Sequence, residues 1–583
     1  MQNPRDIIIT TIENLYGENA SQSVELWIPP KGQSADYCFN IGTLAKSLKR
    51  SPGELVKEIQ PVLQKDIDTF TLVSTVGIYI NLCLTDAAFI KILKESTKEK
   101  HQPEEKQWTV VVDYIGVNIG KPLHIWHICT PSIGQVFCNI YHYKWSKVVG
   151  DVHTGDWWGI FWRLIAWWKR WGDKEKLEAE PVNHLLDLYQ KISALIEPDE
   201  GNWDESVDVA CRVEFKKLSE WDPENMKLWS EFTAHSLHGM QETIDLLHVK
   251  PDVAIGESFY EGLPLPKIGE YPELQYTMKD VVQELVQAWI AERNEDWSVS
   301  ISFPENKKLP SNILQKRDGT HGYFASDLAC IKYRMTNWWD PKKIIYCTDI
   351  RQQLHFQQVF TVARMAGWIN DDVELVHAPN GFISLPEWAM STRKGNIIRL
   401  DDLIDEAFLR TKRILEEKWR SISDIDIREI AVGGLKYSYL MQDRERNVVF
   451  NWDKALNFEG NSGPYIQYAY VRAKKLKEQL GTGLEIGPIF EAELSEDDKD
   501  LIKTLVIFDE KVDEVLKNHK PHVLTQYCYT LAWVFNSFYS HTPSIVNEED
   551  QQLKNLRTQL VSLSAERLKL GFQLLGIEMP SEM

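Results

Sequence analysis

Hydrophobic positions recur with both helical and strand periods in the first hundred residues. Helical spacing occurs in DIIITTIENLYG and in two short amphipathic stretches divided at Ser51-Pro52, and GIYINLCL alternates as a strand does. The pattern predicts a small separate α+β domain over residues 1–100. A charged stretch from Lys94 to Gln107, which contains Pro103, is typical of a linker.

Strand and helix patterns alternate from Trp108 onward, as they do in proteins built on a parallel sheet. The strand WTVVVDY precedes a helix, the strand KVVGDV and the helix FWRLIAWWKRW. The alternation resumes with KKIIYCTDI, HFQQVFTVARMAGW and DVELVHAPNGFISL. Long amphipathic helices are indicated between about 175 and 305. We therefore predict an α/β domain over residues 107–402 with a helical insertion.

Strand patterns nearly vanish after about Leu403. The segments with helical length and period are IDEAFLRTKRILEEKWR, PYIQYAYVRAKKLKEQL, DKDLIKTLVIFDEKVDEVLK, VLTQYCYTLAWVFNSFYSHT and NLRTQLVSLSAERLKLGFQLLGI. We predict that residues 403–583 form an all-α bundle.

The composition is that of an ordinary globular protein, with 43% hydrophobic and 26% charged residues. A formal charge of −20 argues against nonspecific coating of nucleic acid, although a local basic surface remains compatible with it. The eight cysteines form no CxxC pair, so we expect no metal held by the protein. No apolar stretch reaches the roughly eighteen residues that span a bilayer. We expect a cytoplasmic protein without membrane contact.

A candidate phosphate site lies between Val110 and Gly134, VVVDYIGVNIGKPLHIWHICTPSIG. A strand leads through an irregular loop into a helix that His124 and His127 open. The first free N–H groups of a helix and its dipole favour anionic oxygens. The H-x-x-H pair alone is a weak signal, and Trp126 places a bulky ring where a nucleotide should approach the backbone.

The longer segment DYIGVNIGKPLHIWHICTPSIG resembles the HIGH signature of class I aminoacyl-tRNA synthetases, in the form carried by arginyl-tRNA synthetases. QKRDGTHGYFASDLACIKYR, DIRQQLHFQQVF, MSTRKGN and FEGNSGPYIQYAYVRAKKL also resemble that family, in its order along the chain. The resemblance implies an N-terminal tRNA-contacting domain, a Rossmann-like parallel-sheet catalytic domain with an insertion, and an all-α anticodon-binding bundle. It also implies ATP-dependent activation of L-arginine to arginyl-adenylate and transfer to tRNA(Arg), with Mg²⁺ accompanying ATP and no prosthetic group.

Activation is attack by the arginine carboxylate on the α-phosphorus of ATP, which calls for cations and donors on phosphate rather than a covalent nucleophile. The resemblance implies His124, His127 and Lys394 as the catalytic residues. The implied ATP-binding residues are Lys121, His124, Trp126, His127, His355, Met390 and Lys394. A solvated charge remains an alternative role for Lys121. MSTRKGN resembles the mobile KMSKS loop, but Ala389 stands at the family's first lysine position, which shifts the cationic role to Lys394.

The substrate side chain is a planar guanidinium with five donors, so its pocket should offer carboxylates and carbonyls. The resemblance implies that Tyr323 and Asp327 hold the guanidinium, that Asp113 and Asn118 hold the amino-acid head, and that Gln352 is a further candidate.

Aromatic and basic residues share one predicted helix near the start of the bundle. Such residues suit unstacked anticodon bases, whereas half-buried core tyrosines would be the alternative for an isolated helix. With the resemblance, the predicted anticodon-binding residues are Tyr465, Gln467, Tyr468, Tyr470 and Arg472.

Tryptophan is unusually frequent, with 22 residues against 21 tyrosines and 21 phenylalanines. Trp126 occupies the glycine of the family's H-x-G-H. The resemblance suggests the same exchange at Trp145, Trp158, Trp162, Trp221, Trp297 and Trp388. Our hypothesis is that the gene reads UGA as glycine and that UGA has been translated as tryptophan.

Three functions remain open on the sequence. The first is an active arginine–tRNA ligase, which we expect to be a monomer. The second is a catalytically impaired tRNA-binding paralogue, if Trp126 and Ala389 are genuine. The third is another nucleotidyl-transfer enzyme on the same fold, including a synthetase for a different amino acid.

Overall fold

The computed structural model describes most of the chain in two compact units. The described residues are 4–21, 26, 27, 29, 35–97, 108–120, 122–157, 161–196, 205–263, 269–336, 339–384, 399–418, 422–481 and 491–583. The first unit comprises Met1–His101, Tyr468–Asp513 and Tyr527–Leu570. The second unit comprises Gln102–Gln467, Glu514–Gln526 and Gly571–Met583.

A four-stranded antiparallel sheet in the order β1-β2-β4-β3 belongs to the first unit. Its strands are β1 (Leu26–Trp27), β2 (Tyr37–Asn40), β3 (Phe70–Val76) and β4 (Tyr79–Leu84). The accompanying helices are α1 (Pro4–Tyr16), α2 (Glu18–Ser21), α3 (Ile41–Leu48), α4 (Pro52–Leu63) and α5 (Asp86–Ser96). Pro52 opens α4, where a missing N–H costs no helical hydrogen bond. The predicted break between α3 and α4 is confirmed, but α5 continues through the first three residues of the predicted linker.

The N-terminal elements pack against the helical C-terminal region within this unit. The Asp86 carboxylate accepts a hydrogen bond from the Leu494 backbone N–H at 2.9 Å and lies 3.1 Å from Lys499 Nζ. Lys503 Nζ lies 3.4 Å from Asp36. Through Lys499 and Lys503, these contacts connect the N-terminal elements at Asp36 and Asp86 to one helix, α19 (Glu496–Val506).

The C-terminal region contains helices where the sequence predicts them. Their bounds are α18 (Gly463–Leu480), α19, α20 (Phe508–Asn518), α21 (His522–His541) and α22 (Gln551–Leu574). One expected helix is divided in two, because α19 ends at Val506 and α20 begins at Phe508.

A five-stranded parallel sheet in the order β12-β11-β5-β6-β7 forms the centre of the second unit. Its strands are β5 (Thr109–Asp113), β6 (Lys147–Val152), β7 (Val253–Ala254), β11 (Pro341–Tyr346) and β12 (Glu374–His377). Every residue of β5 is buried, as expected of an apolar strand covered on both faces. The carboxyl ends of all five strands meet at one edge.

The segment predicted as a helical insertion is mostly helical up to Leu246, whereas beyond it short strands accompany α12 (Met278–Gln287). Its helices, with the preceding one, are α7 (Phe161–Trp171), α8 (Lys174–Ala179), α9 (Pro181–Ile196), α10 (Glu205–Ser219) and α11 (Pro223–Leu246). Beyond Leu246 the chain returns to the central sheet as β7. An antiparallel sheet then follows, with β8 (Glu292–Arg293), β9 (Val299–Ile301) and β10 (Asn312–Gln315). Strands of two to four residues are too short to show an alternating pattern.

The remaining helices of the second unit cover the sheet or follow it. They are α6 (Cys129–Tyr143), α12 (Met278–Gln287), α13 (Tyr323–Thr336), α14 (Gln353–Met365), α15 (Leu400–Lys418), α16 (Asp424–Leu440) and α17 (Trp452–Ala455). Two short strands, β13 (Ile383–Ser384) and β14 (Val448–Val449), pair in parallel. Within the described parts of the chain, no helix has the length and apolar character needed to cross a membrane.

Candidate active site at the carboxyl edge of the parallel sheet

The loop after β5 is held in an unusual backbone conformation. Ile115 is fully buried and has a φ of 63°, which is a rare value for a β-branched residue. Such conformations persist where surrounding structure enforces them, and they cluster at functional sites. The loop leads into a 3-10 turn, Ile125–Ile128, which continues directly into α6.

His124 and His127 form a compact pair at this helix entrance. The backbone N–H of His124 donates to Nδ1 of His127 at 2.9 Å, and the ring centroids are 3.9 Å apart. Burial and the neighbouring His124 lower the pKa of His127 to about 3. His127 is therefore neutral at pH 7, and because Nδ1 accepts, its proton lies on Nε2. The pair offers a hydrogen-bond donor to an anionic oxygen.

Trp126 projects beside this pair. Its ring centroid lies 5.3 Å from that of His124 and 5.6 Å from that of Phe382. Its Nε1 is buried and meets no acceptor among the described residues. The other residues predicted around the ATP phosphates, Lys121, Met390 and Lys394, lie outside the described residues, as does Ala389.

Asn118 is fixed at the sheet edge by contact with the chain after β6. Backbone hydrogen bonds join Ile119 N–H to Gly155 O at 3.2 Å and Gly155 N–H to Val117 O at 2.9 Å. A Cβ at position 155 would lie 2.0 Å from Asn118 Oδ1, so only glycine fits there. The Asn118 residue itself remains exposed.

Asp113 lies below this loop in a buried cluster that the sequence did not predict. Arg334 Nη2 donates to Asp113 Oδ2 at 2.8 Å and to Asp151 Oδ2 at 2.6 Å, and its Nε donates to the same oxygen of Asp151 at 2.9 Å. All three side chains are buried. The Asp113 carboxylate is thus engaged by an arginine of the protein itself.

Asp327 meets two histidines near the start of α13. His355 Nε2 lies 2.6 Å from Asp327 Oδ2, and His153 Nε2 lies 3.8 Å from Asp327 Oδ1. Burial alone would raise the pKa of Asp327, but His355 and His153 outweigh it and lower that pKa. The carboxylate is ionised at neutral pH. His355, predicted at the ATP site, is a hydrogen-bond partner of Asp327, the predicted guanidinium ligand.

Tyr323 and Gln352 are exposed residues on the elements beside Asp327. Tyr323 opens α13 one turn before Asp327, and 62% of its surface is accessible. Gln352 ends the 3-10 turn that precedes α14, the helix of His355. Both are accessible to a ligand at this edge of the sheet.

Two buried acids near Asp327 were missed by the sequence analysis. Burial, with Asp156 and Asp327 nearby, raises the pKa of Glu257 to about 8 against the opposing effect of His153. Burial raises the pKa of Asp156 to about 6, although Ser258 donates to it from its backbone at 2.8 Å and from its hydroxyl at 2.6 Å. Glu257 belongs to no recognisable motif, and Asp156 lies in the segment TGDWWGIFW, to which the sequence analysis assigned no role in the site. Their proximity arises because β7 returns to the sheet beside β6.

The acids near Asp327 are not part of a set of metal ligands among the described residues. In the part of the chain that the structure describes, no group of three or more His, Cys, Asp or Glu side chains could hold a metal ion. A cluster of ionised and ionisable carboxylates suits an organic cation.

The predicted anticodon-binding residues divide into accessible and buried ones. Arg472 lies over the rings of Tyr468 (4.7 Å) and Tyr539 (5.0 Å) and donates to Asn536 Oδ1 at 2.6 Å. Tyr539, on α21, was not predicted and is 44% exposed. These four residues, hereafter the arginine–tyrosine cluster, are within the first unit.

Two of the predicted residues on α18 face the interior. Gln467 is fully buried, and its Nε2 donates to the backbone oxygens of Glu429 at 3.1 Å and Glu578 at 2.9 Å. Tyr470 is buried as well, whereas Tyr465 is partly exposed. The prediction that Gln467 contacts a base is therefore wrong, because its buried amide group donates to backbone oxygens of the protein itself.

Comparison with known proteins gives matches along nearly the whole chain. Family models match for the arginyl tRNA synthetase N terminal domain over residues 2–84, the catalytic domain of class I (R) tRNA synthetases over 89–452, and the DALR anticodon binding domain over 466–583. The arginine–tRNA ligase of Clostridium botulinum strain Alaska E43 is 32% identical over 569 residues, covering 95% of both chains. That of Fusobacterium nucleatum is 32% identical over 592 residues, covering 99% of this chain and 98% of its own.

The chain belongs to the arginyl-tRNA synthetase family.

Solved arginyl-tRNA synthetases share the fold. The enzyme of Thermus thermophilus superposes with a TM-score of 0.79 at 20% identity, and that of Plasmodium falciparum with 0.76 at 21% identity. Each match covers 100% of both chains. The predicted fold class, an α/β catalytic domain with a small α+β domain before it and a helical anticodon-binding domain after it, is confirmed.

Proposed function

We propose that the chain is an active arginine–tRNA ligase, which activates L-arginine with ATP and transfers it to tRNA(Arg). The observation that carries this proposal within the family is the cluster of acids formed by Asp327, Glu257 and Asp156. Its ionised carboxylate and two ionisable ones are suited to a guanidinium group.

The arginine would lie along the carboxyl edge of the sheet. In this proposal Asp327 and Tyr323 bind the guanidinium and Gln352 assists them. Asn118 binds the α-amino and carboxylate groups of arginine. Asp113 supports the same loop through its ion pair with Arg334. Glu257 is added to this set, because a cation at the acid cluster would favour its ionised form.

Activation needs no covalent nucleophile from the protein. An oxygen of the arginine carboxylate attacks the α-phosphorus of ATP, the bond to the β-phosphate breaks, and pyrophosphate leaves with the bonding electrons. The Nε2–H of His127 and the first N–H groups of α6 would donate to the phosphates, with His124 and position 126 beside them. By resemblance, Lys121, Met390 and Lys394 complete the ATP site, and Mg²⁺ enters with the nucleotide as part of the substrate.

The tRNA would contact both the N-terminal and the C-terminal regions. We assign residues 1–100 to tRNA contact, residues 107–402 to catalysis and residues 403–583 to anticodon binding. The arginine–tyrosine cluster offers rings and a guanidinium for stacking of unpaired bases, and Tyr465 is a further accessible contact. We propose that the protein is cytoplasmic, because all eight cysteines are free thiols, as in a reducing compartment. We also propose that it is a monomer.

Arginine-dependent exchange of pyrophosphate into ATP tests the activation step directly. With tRNA present, we expect exchange for arginine and none for a panel of other amino acids, followed by formation of arginyl-tRNA. No exchange would instead indicate the catalytically impaired paralogue, an alternative that the comparisons do not support. Exchange with another amino acid would indicate a different synthetase.

A further inference from the structure

Four tryptophans occupy left-handed backbone conformations that bulky residues rarely adopt. The φ angles are 64° at Trp145, 63° at Trp221, 60° at Trp289 and 69° at Trp297. Among the described residues, ten that are not glycine have φ in this region, and four of these ten are tryptophan. Only a few per cent of non-glycine residues are expected there, mostly asparagine, aspartate and histidine. The concentration of one bulky residue type therefore requires a specific cause.

Three of the four tryptophans end helices in the same hydrogen-bonded motif. In this motif the left-handed residue donates to the oxygen three residues before it, and the next residue donates to the oxygen five before itself. For Trp145 after α6, both distances are 3.0 Å. Trp221 after α10 has 3.2 and 3.0 Å, and Trp289 after α12 has 3.1 and 2.9 Å. Glycine is the preferred residue at this position, because it has no Cβ to clash.

The chain itself places glycine in this motif elsewhere. Gly262, Gly367 and Gly576 make the same pair of backbone hydrogen bonds, with φ of 86°, 71° and 67°. The three tryptophans thus stand in positions that are equivalent to those of three intact glycines.

Trp297 occupies the glycine position of a hairpin. Its N–H donates to Asn294 O at 3.0 Å, and Asn294 N–H donates to Ser298 O at 2.8 Å, between β8 and β9. A turn followed by one left-handed residue is a common hairpin connection, and glycine favours its last position.

These indoles are too exposed for burial to compensate the backbone conformation. The exposed fractions are 94% for Trp289, 71% for Trp297, 50% for Trp221 and 37% for Trp145. Trp229 and Trp368 are different. Trp229 is 1% exposed and donates from Nε1 to Asp156 O at 2.8 Å, and Trp368 donates from Nε1 to Glu284 Oε1 at 2.8 Å. The chain therefore contains tryptophans that the fold uses and tryptophans at glycine positions.

We propose that the natural polypeptide carries glycine at 145, 221, 289 and 297, and also at 126, because its gene reads UGA as glycine. Independent mutation would have placed several residue types at these sites, whereas decoding UGA as tryptophan places one. Position 126 follows from the same exchange and from its Nε1 atom, which is buried without an acceptor among the residues that the structure describes. In the natural polypeptide, position 126 would then have no side chain between His124 and His127 at the entrance of α6.

The proposed set differs from the sequence-based hypothesis at three points. Trp289 is added by its backbone conformation. Trp162 lies inside α7 with its ring 5.8 Å from that of Phe215, and its helical backbone does not call for glycine. Trp158 and Trp388 lie outside the described residues.

The nucleotide sequence of the gene and the masses of native peptides test the proposal. We expect UGA codons at the five positions and UGG at Trp229 and Trp368, which serve as internal controls. In protein purified from the source organism, we expect glycine masses at the five positions and tryptophan masses at the two controls. UGG codons or tryptophan masses at 145, 221, 289 and 297 would overturn the proposal. A tryptophan mass at 126 alone would overturn its extension to the nucleotide loop.

Recombinant variants give a second readout that is independent of catalysis. In the chain that carries tryptophan throughout, Trp221→Gly, Trp289→Gly and Trp297→Gly should each raise the melting temperature, because glycine adopts these backbone angles without a clash. Trp229→Gly should lower it, because it removes a buried side chain. A fall in the melting temperature for the first three variants would contradict the proposed native glycines.

Discussion

At the scale of a single residue, the protonation state of the Glu257 carboxyl group should affect the binding of the positively charged arginine side chain. The Glu257 pKa of about 8 means that the acid cluster gains negative charge as the pH rises from 7 to 9. We predict that the KM for arginine falls over this range and that Glu257→Gln removes the fall. At pH 9 the variant should have a KM higher by roughly tenfold, since a hydrogen bond to a charged group contributes about 1.5–3 kcal/mol.

Steady-state aminoacylation at several pH values measures this effect. Glu257 and Glu261 lie on one 3-10 turn, Glu257–Glu261. Glu261→Gln is the matched control, because Glu261 pairs with His321 at 3.2 Å. If the KM of Glu257→Gln for arginine changes with pH as that of the parent does, the protonation of Glu257 does not affect arginine binding.

Lys436 is a buried amine whose protonation bears on stability. Its Nζ donates to Leu247 O at 2.6 Å and to Gly576 O, and burial lowers its pKa to about 7. The unfolded chain has a lysine pKa of about 10.4, so between pH 7 and 10 it binds more protons than the folded chain. The contribution of Lys436 to the free energy of unfolding therefore rises with pH.

We predict that Lys436→Met reduces this rise in the free energy of unfolding between pH 7 and 9. Urea denaturation of the parent and the variant at both pH values gives the free energy of unfolding, and hence the slope of this free energy against pH, for each protein. Lys454→Met changes an exposed lysine and should leave the slope unaltered. Equal slopes for the parent and Lys436→Met would indicate that the amine titrates as it does in water.

At the scale of elements, α18 and α21 together build the arginine–tyrosine cluster. Arg472→Ala should raise the KM for tRNA(Arg) by roughly tenfold or more, because one stacking contact contributes about 1–3 kcal/mol. The KM for arginine should not change. Lys475→Ala, an exposed change three residues further along α18, controls for loss of positive charge. Equal effects of the two substitutions would point to charge rather than stacking.

The predictability of an element depends on the strength of its local pattern. The valines of β5 and the apolar stripe of α7 locate those elements from sequence, and α7 has the predicted bounds. Helix α16 was missed, because its apolar residues are buried on nearly all sides and Gly433-Gly434 interrupts it. The two-residue strand β7 gives no periodic signal, although it is part of the central sheet.

The site was predictable where local motifs identify it. The histidine pair and Asp327 lie in segments that resemble a family, so their sequence neighbours locate them. Glu257 and Asp156 come together only through the return of β7, which sequence spacing does not reveal. Gln467 was misassigned, because the pattern of α18 does not show which of its polar residues bind neighbouring backbone.

At the scale of the whole molecule, the N-terminal domain and α19 belong to one unit, although the whole catalytic region lies between them in the sequence. Asp86→Ala should lower the free energy of unfolding of this unit by about 1–3 kcal/mol, because the Leu494 N–H and Lys499 lose their acceptor. Hydrogen exchange at amides of α5 and α19 reports it. Asp68→Ala, which changes an exposed residue, is the control. Equal rates of hydrogen exchange in the two variants would show that the contacts of Asp86 do not stabilise this unit.

The same contact bears on how the protein is made. Asp86 and Leu494 are separated by 408 residues, so a ribosome that adds about 5–20 residues per second needs roughly 20–80 s to produce the second after the first. Throughout that interval the side of α5 that packs against α19 is uncovered on the nascent chain. We therefore expect this side of α5 to be open to aggregation until α19 has been synthesised.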